Sequence, residues 1–152
     1  MAGMEGIGRL IDVVYTASGN YFSMKNASAV SLLVKCSSTT TTSIALVGAT
    51  TFAAGTTANW TTANGFGQPA HWYQNTTNNG TGAWTKQTAS WASNVLTVGA
   101  TSGYMSVVEI YTSQFAAGYD YLAVTGTNCT VTAILHDLTV QRGPANLAIL
   151  GA

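Results

Sequence analysis

Apolar residues recur at every second position in two segments of the chain. In the first segment, 28–37, the alternating positions are Val30, Leu32, Val34 and Cys36. In the second, 129–136, they are Cys129, Val131, Ala133 and Leu135. Because side chains of a β-strand point alternately to its two faces, this spacing predicts two strands that each bury one face.

Six shorter runs, rich in β-branched and aromatic residues, predict further strands. They lie at 10–15, 43–47, 84–88, 95–98, 104–111 and 121–125. Turn-forming pairs such as Asn64-Gly65 and Asn79-Gly80 separate them at short intervals. Many short strands at this spacing predict an all-β fold, a single-domain β-sandwich or jelly roll.

Several segments fall outside the strand pattern. Residues 1–8 and 143–152 are predicted to be extended arms that flank a sandwich domain over 9–142. Residues 50–68 are rich in Gly, Ala and Thr, which predicts a long excursion between two strands. The four Thr residues at 39–42 predict a hairpin loop or an exposed strand extension, and one helical turn is expected at 113–117.

Polarity in this chain comes from Thr, Ser, Asn and Gly, because only 7% of its 152 residues are charged. Ordinary soluble domains carry about 25%. Five cations balance five anions, and no charged residue occurs between Lys35 and Lys86. Nucleic acids and anionic membranes are bound through clusters of Lys and Arg, so we expect neither partner. A surface with so little charge favours packing against other protein copies.

The ionisable residues predict no catalytic site, no cofactor and no metal. His136 and Asp137 are adjacent, so on a strand we expect their side chains on opposite faces. Glu109 and Asp120 could approach each other across strands, but solvated or interface carboxylates are the simpler interpretation. No pair of His or Cys has the short spacing of a zinc site, and no G-x-S-x-G nucleophile motif occurs. We therefore expect a protein that is not an enzyme.

Cys36 and Cys129 both fall within predicted strands. Two Cys residues are too few for a disulfide framework. Two small buried thiols are the simpler interpretation, and a disulfide between them requires that their strands be neighbours. The first residues show no secretion signal, so we expect synthesis in a reducing cytosol.

Aromatic residues are concentrated between positions 60 and 104 and include Trp60, Phe66, Trp72, Tyr73, Trp84, Trp91 and Tyr104. Exposed Trp and Tyr rings can stack on sugars, and the same rings anchor protein interfaces. Trp84 alternates with Thr85, which predicts a core position. The predicted interface consists of loop aromatics and of apolar residues near both ends of the chain, namely Ile7, Leu10, Trp60, Phe66, Trp72, Leu147, Ile149 and Leu150.

Three motifs resemble those of a group of small virion proteins from tailed bacteriophages and prophages. They are Y-F-S-M-K-N at 21–26 followed by the apolar strand to Cys36, G-T-G-A-W-T-K at 80–86, and G-Y-D-Y-L-A-V at 118–124. Their order and spacing match over roughly residues 9–142. Members of the group usually carry more charge, including Arg in the strand where this chain has Ala123 and Thr125.

The resemblance implies a head-associated role, as a capsid decoration or minor capsid protein without catalytic residues. Its expected partners are the major capsid protein and further copies of the chain, as a homotrimer. The expected location is the capsid surface of the virion, after synthesis in the host cytoplasm. A tail or baseplate component, or a virion component that binds glycans through the aromatic cluster, is the alternative.

Overall fold

The computed structural model describes residues 11–15, 20–77, 81–99 and 101–138. Their strands are β1 (Ile11–Tyr15), β2 (Tyr21–Ser23), β3 (Ala27–Cys36), β4 (Thr42–Thr51), β5 (Ala54–Asn59), β6 (His71–Asn75), β7 (Trp84–Thr88), β8 (Trp91–Ala92), β9 (Val95–Gly99), β10 (Met105–Tyr111), β11 (Tyr121–Thr127) and β12 (Cys129–Leu138). Two single 3-10 turns, Thr62–Asn64 and Thr112–Gln114, are the helical elements of this part of the chain.

The strands form two antiparallel sheets that pack face to face around one hydrophobic core. Sheet 1 has the order β1-β12-β3-β10-β6-β7. Sheet 2 has the order β2-β11-β4-β9-β8, and β5 pairs with β4 as well. The all-β sandwich predicted from the alternation is confirmed.

Eight of these strands form nested pairs, in which a strand from the first part of the chain pairs with one from the last part. β1 pairs with β12, β2 with β11, β3 with β10 and β4 with β9. The chain therefore forms one long antiparallel hairpin, rolled so that successive pairs fall in opposite sheets. The resulting order, β1-β12-β3-β10 facing β2-β11-β4-β9, is the jelly-roll arrangement.

The remaining four strands lie at the tip of this hairpin, in residues 52–94, which we call the tip insertion. Within it, β6 and β7 extend sheet 1 beyond β10, and β8 extends sheet 2 beyond β9. All four Trp residues of the chain belong to it: Trp60, Trp72, Trp84 and Trp91. The excursion expected at 50–68 is thus the first part of a longer insertion that contains strands of its own.

The two strongly alternating segments behave as predicted. On β3 and β12 the buried faces carry Val30, Leu32, Val34, Val131, Ala133 and Leu135. From sheet 2, β4 and β11 contribute Ile44, Leu46, Leu122 and Val124 to the same core. Burial of apolar surface at about 25 cal/mol per Å² makes this central region the main source of stability.

Three local expectations need correction. Residues 37–41 connect β3 in sheet 1 to β4 in sheet 2. The first three Thr residues of the tract therefore belong to a crossover between sheets and not to a hairpin, and the fourth, Thr42, begins β4. The helical turn expected at 113–117 is a 3-10 turn one residue earlier, Thr112–Gln114. Four short strands, β2, β5, β6 and β8, have no counterpart among the predicted strands.

Both expected arms lie outside the described residues. The same holds for five of the predicted interface residues, Ile7, Leu10, Leu147, Ile149 and Leu150. The structure therefore leaves these positions as sequence-based predictions.

Candidate binding surfaces

Trp60 lies at the centre of an aromatic cluster inside the sandwich. Its ring centroid is 4.5 Å from that of Phe66 and 4.6 Å from that of Phe115, which it meets edge to face. Its indole Nε1 donates a hydrogen bond of 3.1 Å to the carbonyl oxygen of Gly67. Phe66 also contacts Tyr119, with 5.1 Å between ring centroids. A ring packed this way, with its one polar atom satisfied, is a core residue.

This cluster corrects the predicted interface. Trp60, Phe66 and Trp72 are only 0%, 2% and 7% exposed, and the covering atoms belong to the same chain. The prediction that these three residues form an exposed aromatic surface is therefore wrong. Trp84 shows the opposite error, because it was expected in the core and is 43% exposed on the edge strand β7.

The absence of a side chain at Gly48 allows Phe66, which lies in a loop, to reach the core. A Cβ atom at this position would lie 2.5 Å from Cζ of Phe66, much closer than real contacts allow. Gly48 sits between buried Leu46 and buried Ala49 on β4, so its missing side chain opens a slot in sheet 2. The ring of Phe66 fills this slot.

The outer face of sheet 2 is uncharged. Most of its side chains are small or β-branched, among them half-buried Ser43, Ala45, Val47 and Thr125 and exposed Thr97. Two half-buried aromatic residues, Tyr21 and Tyr121, lie on the same face where β2 pairs with β11. Among the described residues whose side chains point outward from this sheet, none is charged. We call this surface the neutral face.

The nearest ion pair lies at the rim of the neutral face. Lys25 Nζ is 3.7 Å from Asp120 Oδ2, and the same ammonium sits 5.8 Å from the ring centroid of Tyr121. Asp120 therefore pairs with a lysine beside sheet 2, whereas Glu109 lies on sheet 1. The two carboxylates, which the sequence allowed to approach each other across strands, therefore do not lie together.

The outer face of sheet 1 has a different character, because it carries charged and aromatic side chains. Val107, Tyr73 and Lys86 are neighbours in one row across β10, β6 and β7. Glu109, two residues along β10 from Val107, and His71, two residues along β6 from Tyr73, share that face.

A groove of about 230 Å³ opens on this face where the tip insertion joins the jelly roll. Its polar and aromatic walls are His71, Tyr73, Lys86, Glu109, Tyr111 and Gln114. Pro69 and Ala70, in the segment before β6, complete it. We call it the sheet 1 groove.

The groove residues hold one another in place. The Tyr111 hydroxyl donates to Glu109 Oε2 at 3.2 Å, and the Tyr111 backbone N–H donates to Gln114 Oε1 at 2.8 Å. The negative charge of Glu109, together with this hydrogen bond, raises the pKa of the Tyr111 phenol. These two hydrogen bonds position the Tyr111 ring at the side of the groove.

His136 and Asp137 also depart from the prediction. His136 Nδ1 lies 3.1 Å from Asp137 Oδ2, and His136 Nε2 lies 3.0 Å from Ser31 Oγ. Asp137 adopts a left-handed backbone with φ of 53°, which breaks the regular alternation and brings its carboxylate beside the imidazole.

The order Ser31, His136, Asp137 is that of an acyl-transfer triad. Such a serine also needs free backbone N–H donors beside it to stabilise an oxyanion. Ser31 lies in the middle of β3, paired on both sides with Ile134 and Glu109, so its own N–H belongs to the strand ladder. We therefore assign a structural role to these contacts, in which Ser31 and Asp137 orient the His136 ring.

Cys36 and Cys129 are both free thiols. They lie opposite each other on β3 and β12, so their strands are the neighbours that a disulfide would require. Among the described residues, no group of three His, Cys, Asp or Glu side chains is placed to hold a metal ion. In the same part of the chain, no helix has the length and apolar character needed to span a membrane.

No protein-family model, curated protein or solved structure matches this chain. The class that its fold defines is a jelly-roll β-sandwich with a tip insertion, one neutral outer face and one grooved outer face.

Proposed function

We propose that this protein is a structural component of a bacteriophage virion, a capsid decoration or minor capsid protein that binds the major capsid lattice and stabilises the head. The neutral face of sheet 2 is the observation that carries the proposal. The architecture agrees with it, since jelly rolls form viral capsid domains as well as lectins and cupins. The phage assignment itself rests on the resemblance of the motifs at 21–26, 80–86 and 118–124.

The neutral face suits packing against protein because its burial removes no charge from water. Desolvating an unpaired ion costs several kcal/mol, whereas covering Ala45, Val47 or Thr125 removes apolar and weakly polar surface. At a symmetry axis, identical residues meet their own copies, so charged groups there would repel. A face without charge avoids that repulsion, which supports self-association about a symmetry axis, in this proposal the three-fold axis of a homotrimer.

Attachment to the lattice would stabilise the head by mass action. Each copy that binds the assembled shell and not its free subunits shifts the equilibrium toward the shell. In this proposal the apolar residues near the two ends of the chain add contacts to neighbouring capsomers. Those residues are Ile7, Leu10, Leu147, Ile149 and Leu150.

The proposal is tested by binding the purified protein to phage heads that lack it. Thr125→Arg places a cation on the neutral face, and Thr132→Arg places the same cation on the outer face of sheet 1. We expect Thr125→Arg to lose trimer formation and head binding, while Thr132→Arg keeps both. Deletion of residues 144–152 should lower occupancy on heads without unfolding the domain.

Two results would contradict the proposal. Equal occupancy of heads by Thr125→Arg and the unchanged protein would remove the neutral face from the mechanism. Failure of the unchanged protein to bind heads at all, with binding to isolated tails, would move it to the tail or baseplate.

A further inference from the structure

We infer that the sheet 1 groove binds one neutral sugar ring of a glycan, with Tyr73 and Tyr111 as its stacking surfaces and Glu109 as its main hydroxyl acceptor. This inference goes beyond the proposed function and does not depend on it. It also replaces the glycan-binding site expected at the loop aromatics, since Trp60 and Trp72 are buried.

The size of the groove limits the ligand. Pockets for drug-sized molecules have about 300–1,000 Å³. At about 230 Å³, open to solvent along the sheet, the groove accommodates one small ring and not a folded peptide. A sugar ring within a longer glycan fits, because its neighbouring units can extend into solvent.

The exposed tyrosines supply the stacking surface. Tyr73 is 42% exposed and Tyr111 is 47% exposed. Burial of aromatic rings this large would stabilise the fold, so their exposure leaves apolar surface available to a ligand. Both residues line the same groove. The C–H groups on one face of a pyranose carry partial positive charge and match the negative face of an aromatic ring.

The polar groups of the groove suit hydroxyl recognition. Glu109 offers carboxylate oxygens as acceptors, while Lys86 and His71 can donate. Glu109 already accepts the Tyr111 hydroxyl at 3.2 Å, so its carboxylate is oriented before a ligand arrives.

The charge balance favours a neutral ligand. Lys86 and Glu109 contribute opposite charges to the groove. An anionic sugar would gain from Lys86 but meet the carboxylate of Glu109. A neutral hexose meets no such penalty.

The position of the groove is compatible with assembly. It lies on the outer face of sheet 1, whereas the neutral face is on sheet 2, on the opposite side of the sandwich. A copy packed through sheet 2 would still present the groove to solvent.

The inference is tested by titrating the full-length protein with neutral hexoses, N-acetylhexosamines and their disaccharides, followed by saturation-transfer NMR and calorimetry. We expect saturable binding in the millimolar range to at least one of them and weaker binding to glucuronic and sialic acids. Tyr73→Ala and Tyr111→Ala should each weaken binding by about tenfold, the loss of one stacking contact. Glu109→Gln should weaken it as well.

Tyr21→Ala is the matched control, because Tyr21 lies on β2 of sheet 2 and away from the groove. Its affinity should equal that of the unchanged protein. Tyr111→Phe keeps the ring while removing the hydrogen bond to Glu109, so it should retain more affinity than Tyr111→Ala even if the alanine variants are less stable. The inference is overturned if no neutral sugar binds saturably, or if the Tyr73 and Tyr111 variants bind as well as Tyr21→Ala.

Discussion

Cys36 on β3 and Cys129 on β12 face each other across the antiparallel ladder as a non-hydrogen-bonded pair. The backbone hydrogen bonds of Cys36 are made on the side of β3 away from β12. Its N–H donates to the Tyr104 carbonyl at 2.9 Å, and its carbonyl accepts from the Gly103 N–H at 3.0 Å. In such pairs the Cα atoms are about 4.5 Å apart and the side chains are close. That separation lies within the range compatible with a disulfide.

Oxidation should therefore join the two thiols within one chain. Diamide accepts the two electrons and two protons that leave when the Cys36 and Cys129 sulfurs bond. We expect a single intrachain disulfide, detected by intact mass and by loss of thiol reactivity. Cys36→Ser should not form it. Disulfide-linked dimers as the main product of the unchanged protein would contradict the register described for β3 and β12.

Alkaline titration should reveal the buried character of Cys129. Burial, and secondarily the neighbouring Cys36, raises the pKa of the Cys129 thiol from 9.0 to about 11. Between these values the unfolded chain loses the proton and the folded chain keeps it, so stability present below pH 9 is lost as the pH rises toward 11. Because the thiol is half-buried, we expect a loss of about 1 kcal/mol.

The comparison for this titration is Cys129→Ser, measured by urea unfolding at several pH values. The free energy of unfolding of the unchanged protein should fall more steeply over this window than that of the variant. Parallel profiles would show that Cys129 titrates equally in both states.

Removal of the Trp60 side chain should be far more harmful than removal of the Trp84 side chain. Trp60→Ala leaves a cavity between Phe66 and Phe115 and should lower the free energy of unfolding by about 3–5 kcal/mol. Trp84→Ala, at an exposed edge-strand position, should cost about 1 kcal/mol or less. Similar losses in the two variants, measured by denaturant unfolding, would contradict the placement of Trp60 in the core.

A methyl group at Gly48 should disturb the packing of Phe66. Gly48→Ala should cost about 1–3 kcal/mol, because the new Cβ must displace the Phe66 ring. The same change in a Phe66→Leu background should cost less, since the smaller side chain leaves room. Additive losses in this double-mutant cycle would show that the two residues do not compete for the slot.

Alternation was enough to predict the strands whose inner face is regular. β3, β9, β10, β11 and β12 lie within a few residues of their predicted bounds. The mostly exposed β7 was predicted from its β-branched and aromatic composition. β2 and β8 escaped because two or three residues give too little pattern. β5 and β6 escaped because Gly and polar residues make up most of their sequences. The positions of β2, β5, β6 and β8 depend on pairing with β11, β4, β10 and β9, which is a tertiary effect.

The site was harder to predict for related reasons. Trp60 and Phe66 lie in loop-rich sequence, and only the slot at Gly48 shows why Phe66 turns inward. Tyr73 and Glu109 are far apart in sequence and meet through the β6–β10 pairing, which no local pattern contains. The outward positions on β10 were an available signal, since alternation with its buried residues exposes Glu109 and Tyr111 on one face.

The proposed role on a phage capsid is best tested by locating the protein in purified virions. Cryo-electron microscopy of purified virions should show density for this jelly roll on the outside of the capsid lattice, as trimers that contact neighbours through the neutral face. The sheet 1 groove should point to solvent. Density in the tail or baseplate, or absence of the protein from purified particles, would contradict this capsid role.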